Sequence, residues 1–240
     1  MPPIVTLSIV SHGQGALIAH LLRDLSRTDL SRTAIVLVIN IPESLDFLDD
    51  FADLPITLLT NDAPAGFGAN HNRAFAHCTS PYFCIVNPDI RLLHGNPIRD
   101  LIAAFDDHTG ACGPLVIDSE GRTQDSARRA PTFARLFARA VLRQRDPDYQ
   151  PRSHPIAVDW LAGMFIVFRS EAFRTIGGFD ERYFMYMEDA DIGRRLRQHG
   201  WIVQLVPAIR VVHDAQRASH RSLRHLRWHV RSVTRYLTSI

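Results

Sequence analysis

Short apolar runs alternate with helical stretches through the first ninety residues, and this rhythm constrains the fold more than any other feature. Residues 4–10, 35–40, 56–60 and 82–86 read as strands; residues 15–26 and 69–78 read as helices. Strands separated by helices of that length argue for an α/β fold, Rossmann-like, with a mainly parallel sheet flanked by helices. Further runs near 111–117, 160–168 and 201–212 are expected to complete a mixed sheet. A chain of 240 residues is long enough for one large domain, or for two halves around one sheet, with a soft boundary near residue 90. Residues 144–157 collect prolines and charges and read as a mobile loop.

Two acidic sites stand out against this frame. The segment from Gly177 to Asp191 packs carboxylates among aromatics and ends where a helix should begin. Ala190 to Gln198 has helix formers, an apolar pair at Ile192 and Leu196, and Gly200 as a stop. Glu188 and Asp189 therefore fall at a helix N-terminus, which stabilises carboxylate charge and should keep a base deprotonated at neutral pH. Helices also place acidic residues there simply as caps. The second site follows the buried strand Tyr82–Val86. Pro88 of Asn87-Pro88-Asp89 cannot extend a ladder, so Asp89 is presented at the strand's carboxyl end, where open α/β sheets bind ligands. A hard carboxylate there suits Mg²⁺ or Mn²⁺ held with substrate phosphates, although Asn-Pro-Asp also suits a plain turn. His213 closes a third strand-like run, which Pro207 is expected to break.

In this order the motifs resemble the inverting family 2 glycosyltransferases of the GT-A fold, and among them the bacterial rhamnosyltransferase-like group. The resemblance runs from Val5–Ser11 through Asn61 and Ala65–Asn72 to Asn87-Pro88-Asp89. It continues through Cys112-Gly113-Pro114, Arg128-Arg129-Ala130-Pro131-Thr132, Asp159-Trp160-Leu161-Ala162-Gly163, Gly177-Gly178-Phe179-Asp180-Glu181, Glu188-Asp189-x-Asp191 and Val212-His213. It implies a sugar moved from a nucleoside-diphosphate sugar to a hydroxyl of a glycan or lipid-linked acceptor. Asp89 and His213 would hold a divalent metal, Mn²⁺ or Mg²⁺. Asp189 would be the general base, and Glu188 would orient the acceptor or the base. Ser11, Asn40, Gly66, Asn72, Asn87 and Asp89 would contact the donor; Trp160, Gly163 and Asp191 would line the acceptor and sugar pocket. Residues 1–90 would form the donor half, 91–215 the acceptor and catalytic half, and 216–240 a basic amphipathic helix.

The chain departs from the family where an Asp-Asn pair usually follows the second strand. Here stands Asn40-Ile41-Pro42-Glu43, in which Asn40 can still hydrogen-bond and Glu43 is a candidate substitute. A catalytically silent nucleotide- or sugar-binding protein on the same fold is the alternative reading. A pyrophosphorylase is disfavoured, because Ser11-His12-Gly13-Gln14-Gly15 has no basic residue nearby.

Cys78, Cys84 and Cys112 show no pairing or metal spacing, which points to a reducing, cytoplasmic setting and to buried small hydrophobes. No apolar run approaches the length that spans a bilayer, and the Gln-x-x-Arg-Trp motif of processive synthases is missing. A net charge of +2 argues against nucleic acid as a partner. The basic residues concentrate in the tail. Leu223, Leu226, Val230, Val233 and Leu237 recur at helical spacing beside Arg217, Arg221, Arg224, Arg231 and Arg235, interleaved with Trp228. Such a helix either docks peripherally on the inner membrane face, where lipid-linked acceptors sit, or buries its apolar stripe in the core.

Overall fold

The computed structural model describes residues 1–93, 95–135, 148–150, 152–213 and 223–239. The chain order is β1 (Val5–Ser11), α1 (Gly15–Leu25), β2 (Thr33–Ile39), a 3-10 turn (Asp46–Phe51), β3 (Ile56–Thr60), α2 (Phe67–Phe75), β4 (Tyr82–Val86), β5 (Ile90–Leu92), α3 (Pro97–Ala103), β6 (Thr109–Ile117), β7 (Ala127–Arg128), β8 (Ile156–Ala157), β9 (Trp160–Leu161), β10 (Phe165–Arg169), α4 (Ser170–Thr175), α5 (Glu188–Gln198), β11 (Ile202–His213) and α6 (Leu223–Thr238). One mixed sheet runs β3-β2-β1-β4-β10-β6-β11-β5, with β8 on β11; β7 and β9 form a separate pair.

Helices cover both faces of this sheet, which is why its strands read as unbroken apolar runs. Alternation along β2 sends Ile35 and Leu37 into one core with Leu7, Ile9, Leu21 and Leu22. Val36 and Val38 point into the other, with Phe83, Ile85, Phe168, Phe173, Ile192 and Leu196. Cys78, Cys84 and Cys112 are free and buried.

β1 to β4 are mutually parallel, and β10 enters antiparallel between β4 and β6. Phe165 at the start of β10 pairs with Val86 at the end of β4. The Asn87 N–H then donates to the Met164 carbonyl at 2.9 Å. β11 lies parallel to β6, and β5 folds back against it with Ile90 opposite His213. The segments after β4, before β10 and at the end of β11 thus converge at one end of the sheet.

Several expectations need correction. The run at 160–168 is two strands: it breaks at Ala162–Met164, a tight turn in which the Met164 N–H reaches the Ala162 carbonyl at 2.7 Å. Pro207 does not end β11; the register against β6 shifts between Val206 and Arg210, a bulge that accommodates the missing N–H. The apolar stripe of α6 is divided. Val233 and Leu237 pack inward with Tyr236, whereas Leu226 and Val230 are 60% and 59% exposed. Ser232 and Tyr236 are the buried positions of the helix. Residues 144–147 and 151 of the expected loop, residues 214–222 with Arg217 and Arg221, and the Leu223 side chain lie outside what is described.

The position of β5 depends on an ion pair whose carboxylate is buried. Arg91 reaches Asp24 of α1 through two hydrogen bonds of 2.7 and 3.1 Å, and the Leu92 N–H adds a third at 3.1 Å. Burial by itself would raise the Asp24 carboxyl; Arg91 and the Leu92 N–H hold it below its ordinary value. Asp24→Asn should lower stability by about 1–3 kcal/mol, because it removes charge-assisted bonds at a buried site. A depressed carboxylate stabilises the fold above its unfolded pKa, and this contribution disappears as pH falls. Urea unfolding from neutral to acidic pH should show wild type losing stability on the acid side more steeply than Asp24→Asn.

Candidate functional site

At the converging strand ends, Asp89 and His213 face each other, with Oδ2 3.1 Å from Nε2. Gln124 fixes the imidazole from behind. Its Nε2 donates to the His213 carbonyl at 3.0 Å, which turns Oε1 toward the ring, 2.8 Å from Nδ1. In that assignment Nδ1 carries the hydrogen, and a neutral ring presents the Nε2 lone pair to the Asp89 carboxylate. Two acceptors so close need a proton or a cation between them. Asp89 Oδ1 is buried with no hydrogen-bond partner among the described residues. A buried carboxylate oxygen without a partner, beside an imidazole steadied through its other nitrogen, fits a divalent cation. Among the described residues no group of three or more His, Cys, Asp or Glu side chains could hold a metal, so these two would bind it together with oxygens from outside the protein. Nothing in the sequence singles out Gln124, which lies in a polar turn between β6 and β7.

The acidic pair approaches the same end from α5. The Gly163 N–H, in the turn before β10, donates to Asp189 Oδ2 at 3.3 Å, and the Ala190 N–H donates to Oδ1 at 2.8 Å. A side chain at Gly163 would meet the Phe67 ring at 2.9 Å, so only glycine permits this approach. Glu188 is buried, and its Oε2 has no partner among the described residues. Burial first, and the Asp189 charge second, push its carboxyl up to about 8. Asp189 is raised too, by burial, against the opposing charge of Arg128 and the N–H groups of Gly163 and Ala190. The helix terminus, expected to keep a base deprotonated at neutral pH, does not offset burial here: desolvation raises both carboxyls, that of Glu188 to about 8. The pair resembles other acid–base sites in which neighbouring carboxyls are held in different protonation states.

Most of the other expected contacts are committed to structure. Asn40 is buried with all four hydrogen-bonding positions filled. Oδ1 accepts from Asn61 Nδ2 and the Ala65 N–H at 2.8 Å, and Nδ2 donates to His12 Nδ1 and the Ala65 carbonyl at 3.0 and 3.1 Å. It ties three loops together and has no bond left for a donor. Glu43 accepts from the Gly13 and Gly15 N–H groups at the start of α1. Ser11 is buried, its hydroxyl accepting from the Gln14 N–H at 3.2 Å. Asn72 clasps Phe179 through both backbone groups, at 2.8 and 2.9 Å. Gly66 is required by close approach, because a Cβ there would lie 2.6 Å from the Phe184 carbonyl oxygen. Asn87 is half-buried, two residues before Asp89.

On the acceptor side, Trp160 is buried instead of lining an open pocket. Its indole N–H donates to the Arg129 carbonyl at 3.0 Å, and Arg128 lies over the ring at 5.1 Å. It packs against Gly193 of α5, where a Cβ would clash at 2.6 Å. Asp191 is also buried, shared between Arg194 at 2.7 Å and Arg195 at 2.6 Å.

The profile of a family described as "Glycosyltransferase like family 2" matches residues 2–231. The chain belongs to this family. It is 33% identical over 206 residues to N-acetylglucosaminyl-diphospho-decaprenol L-rhamnosyltransferase of Mycobacterium tuberculosis, covering 76% of this chain and 66% of the relative, just under two thirds. It is 30% identical over 252 residues to the rhamnosyltransferase WbbL of Escherichia coli K12, covering 98% and 92%. Among solved structures, the mannosyltransferase PcManGT from Pyrobaculum calidifontis, in complex with GDP-Man and Mn²⁺, aligns with a TM-score of 0.67 at 17% identity over 98% of this chain and 65% of that one. GalNAc-T7 with UDP, GalNAc and Mn²⁺ aligns with a TM-score of 0.71 at 18% identity over 97% and 48%. These likenesses carry the fold, which is GT-A.

The Glu188 carboxyl makes stability depend on pH in a defined direction. Its folded pKa of about 8 lies above the ordinary 4.5, so its contribution is complete below 4.5 and is lost as pH rises through about 8. Glu188→Gln cannot ionise. Urea midpoints taken across this range should fall with pH in wild type and fall less in the variant, with the variant gaining relative stability at alkaline pH.

Proposed function

We propose that this chain is a metal-dependent, inverting glycosyltransferase that moves a sugar, rhamnose first among the candidates, from a nucleoside-diphosphate sugar to a hydroxyl of a glycan or lipid-linked acceptor. The observation that carries this reading is the convergence at one sheet end of two unlike groups: the Asp89–His213 pair with its unpartnered buried oxygen, and the Glu188–Asp189 pair steadied by Gly163. Asp89 and His213 would hold the cation, with Gln124 setting the imidazole tautomer. Bound there, a divalent metal supplies positive charge for the departing diphosphate. Asp189 takes the proton of the acceptor hydroxyl as its oxygen attacks the anomeric carbon, while the bond from that carbon to the diphosphate oxygen breaks on the opposite face. Glu188, holding its own proton, donates a hydrogen bond within the acceptor site and leaves the negative charge on Asp189. With Asn40 saturated, backbone groups and the exposed side chains around the first loop would recognise the nucleotide.

Among the described residues no helix is long and apolar enough to cross a membrane. The outward face of α6 supports a peripheral contact instead. Leu226 and Val230 stand out beside Arg224, Arg227 and Arg231, and residues 223–239 contain no acidic side chain. That combination complements an anionic lipid surface, where a lipid-linked acceptor resides.

Asp189→Asn should keep the fold and donor binding and lower turnover by about two to four decades. Near-normal turnover would remove the base assignment, and donor binding without turnover in wild type would favour the silent binder. Chelator should abolish transfer, and Mn²⁺ or Mg²⁺ should restore it. By calorimetry, Asp89→Ala and His213→Ala should each weaken Mn²⁺-dependent binding of the nucleoside diphosphate, and Gln124→Ala should do so more mildly, about 10–100-fold.

The lipid contact has its own measurement. Wild type should sediment with anionic vesicles and release as salt rises, because each basic side chain near such a surface adds about 1 kcal/mol that salt screens. Glutamate at positions 227 and 231 should abolish sedimentation and leave transfer to a soluble acceptor intact.

A further inference from the structure

Tyr186 and Met187 have φ of 72° and 68°, the only non-glycine residues in the left-handed region among those described. L side chains rarely adopt this conformation, and two in succession need support from outside the segment. They immediately precede Glu188, so their backbone sets the start of α5 and the direction of both acidic side chains. Met187 caps α5 without any side-chain hydrogen bond.

The support comes from the inner face of α6. The Tyr186 hydroxyl is 2.8 Å from His225 Nδ1, and the Ser232 hydroxyl donates to the Met185 carbonyl at 2.9 Å. The Trp228 ring lies on Phe184 at 4.7 Å and 33°, and His229 lies against Tyr186 at 5.3 Å. Farther along, Arg194 of α5 donates to the Tyr236 carbonyl at 3.1 Å and covers its ring at 4.3 Å, fastening the helix to α5 itself. On the other side, the Phe67 N–H at the start of α2 donates to the Phe184 carbonyl at 3.0 Å. The segment is gripped between the two helices.

We infer that α6 is a brace for the acidic pair, and that His225 and Ser232 are positioning residues for transfer: through Tyr186 and Met185 they hold the left-handed turn that aims Glu188 and Asp189. This rests on the proposed function, in which that pair works on the acceptor. Released from the brace, the turn relaxes toward ordinary backbone and the carboxyls swing off the line of attack. Neither positioning residue is among those assigned to the metal or the donor, so the effect falls on turnover.

The test compares Ser232→Ala, His225→Leu, His225→Asn and Tyr186→Phe with wild type and with Asp189→Asn. Each loss of a brace bond should lower kcat about 10–100-fold, the cost of a small misplacement of a catalytic group. Mn²⁺-dependent nucleotide affinity and the melting temperature should stay close to wild type. His225→Asn, which keeps a polar atom near the position of Nδ1, should recover most of the loss. The double variant of Tyr186→Phe with His225→Leu should be no worse than the poorer single, because both remove one bond. Amides 185–190 should exchange hydrogen faster in the variants while those of β1 and β4 do not. Wild-type kcat in Ser232→Ala and His225→Leu, beside an inactive Asp189→Asn, would overturn the brace alone. Full activity in Asp189→Asn would instead remove the reading on which it rests. A fall in kcat matched by equal losses of donor affinity and melting temperature would also overturn it, as damage to the fold.

Discussion

The antiparallel insertion of β10 between β4 and β6 is the constraint on which the site depends. A strand laid parallel at that place would have put its leading turn at the far end of the sheet. Running the other way, β10 begins where β4 stops, and its first residue pairs with the last residue of β4. The turn before it then lies against Asn87 on one side and Asp189 on the other. Gly163 is the hinge of that arrangement, because its lack of a side chain admits the Phe67 ring while its N–H serves a carboxylate. Residues far apart in the chain meet because their strands end together.

Charge is distributed unevenly around this corner. Asp24 and Asp191 are as buried as Glu188, yet each is met by arginine and serves to fasten one element to another. Among the described residues, Glu188 and Asp89 instead leave a buried oxygen without a hydrogen-bond partner. Unmet polar atoms are costly in a folded interior, and where they persist they mark places shaped for something other than stability. Among these four carboxylates, the presence of an arginine partner distinguishes Asp24 and Asp191 from Glu188 and Asp89 where burial does not.

Part of this was legible in the sequence. Pro88 stops β4, so Asp89 had to stand at a strand end, and the acidic run before Ile192 had to open a helix. What local pattern could not carry was the use made of each side chain. An Asn after a strand reads the same whether it meets a ligand or ties three loops, and Trp160 was hidden by the absence of a Cβ at Gly193, thirty-odd positions later. Likewise, β5, α3 and α4 are too short for periodicity to reveal. The apolar spacing of α6 left both a core-facing and a lipid-facing stripe open; aromatic stacking and two polar anchors at Tyr186 and Met185 leave Leu226 and Val230 outward. The upward shift of the Glu188 carboxyl follows from tertiary burial, which a helix-terminus argument does not contain.

The same strand order bears on how the chain is made. The strands β1 to β4 can pair as soon as they leave the ribosome, since each finds its neighbour within the N-terminal part of the chain. The outer edge of β4, with Cys84 and Ile85, has no partner until β10 has been synthesised some eighty residues later. For that interval the nascent protein carries an apolar strand with open backbone groups, the kind of edge that recruits strands from other chains. Closing it means closing a long loop, which slows the step. A geometry that assembles the site thus also fixes the most hazardous moment of its synthesis.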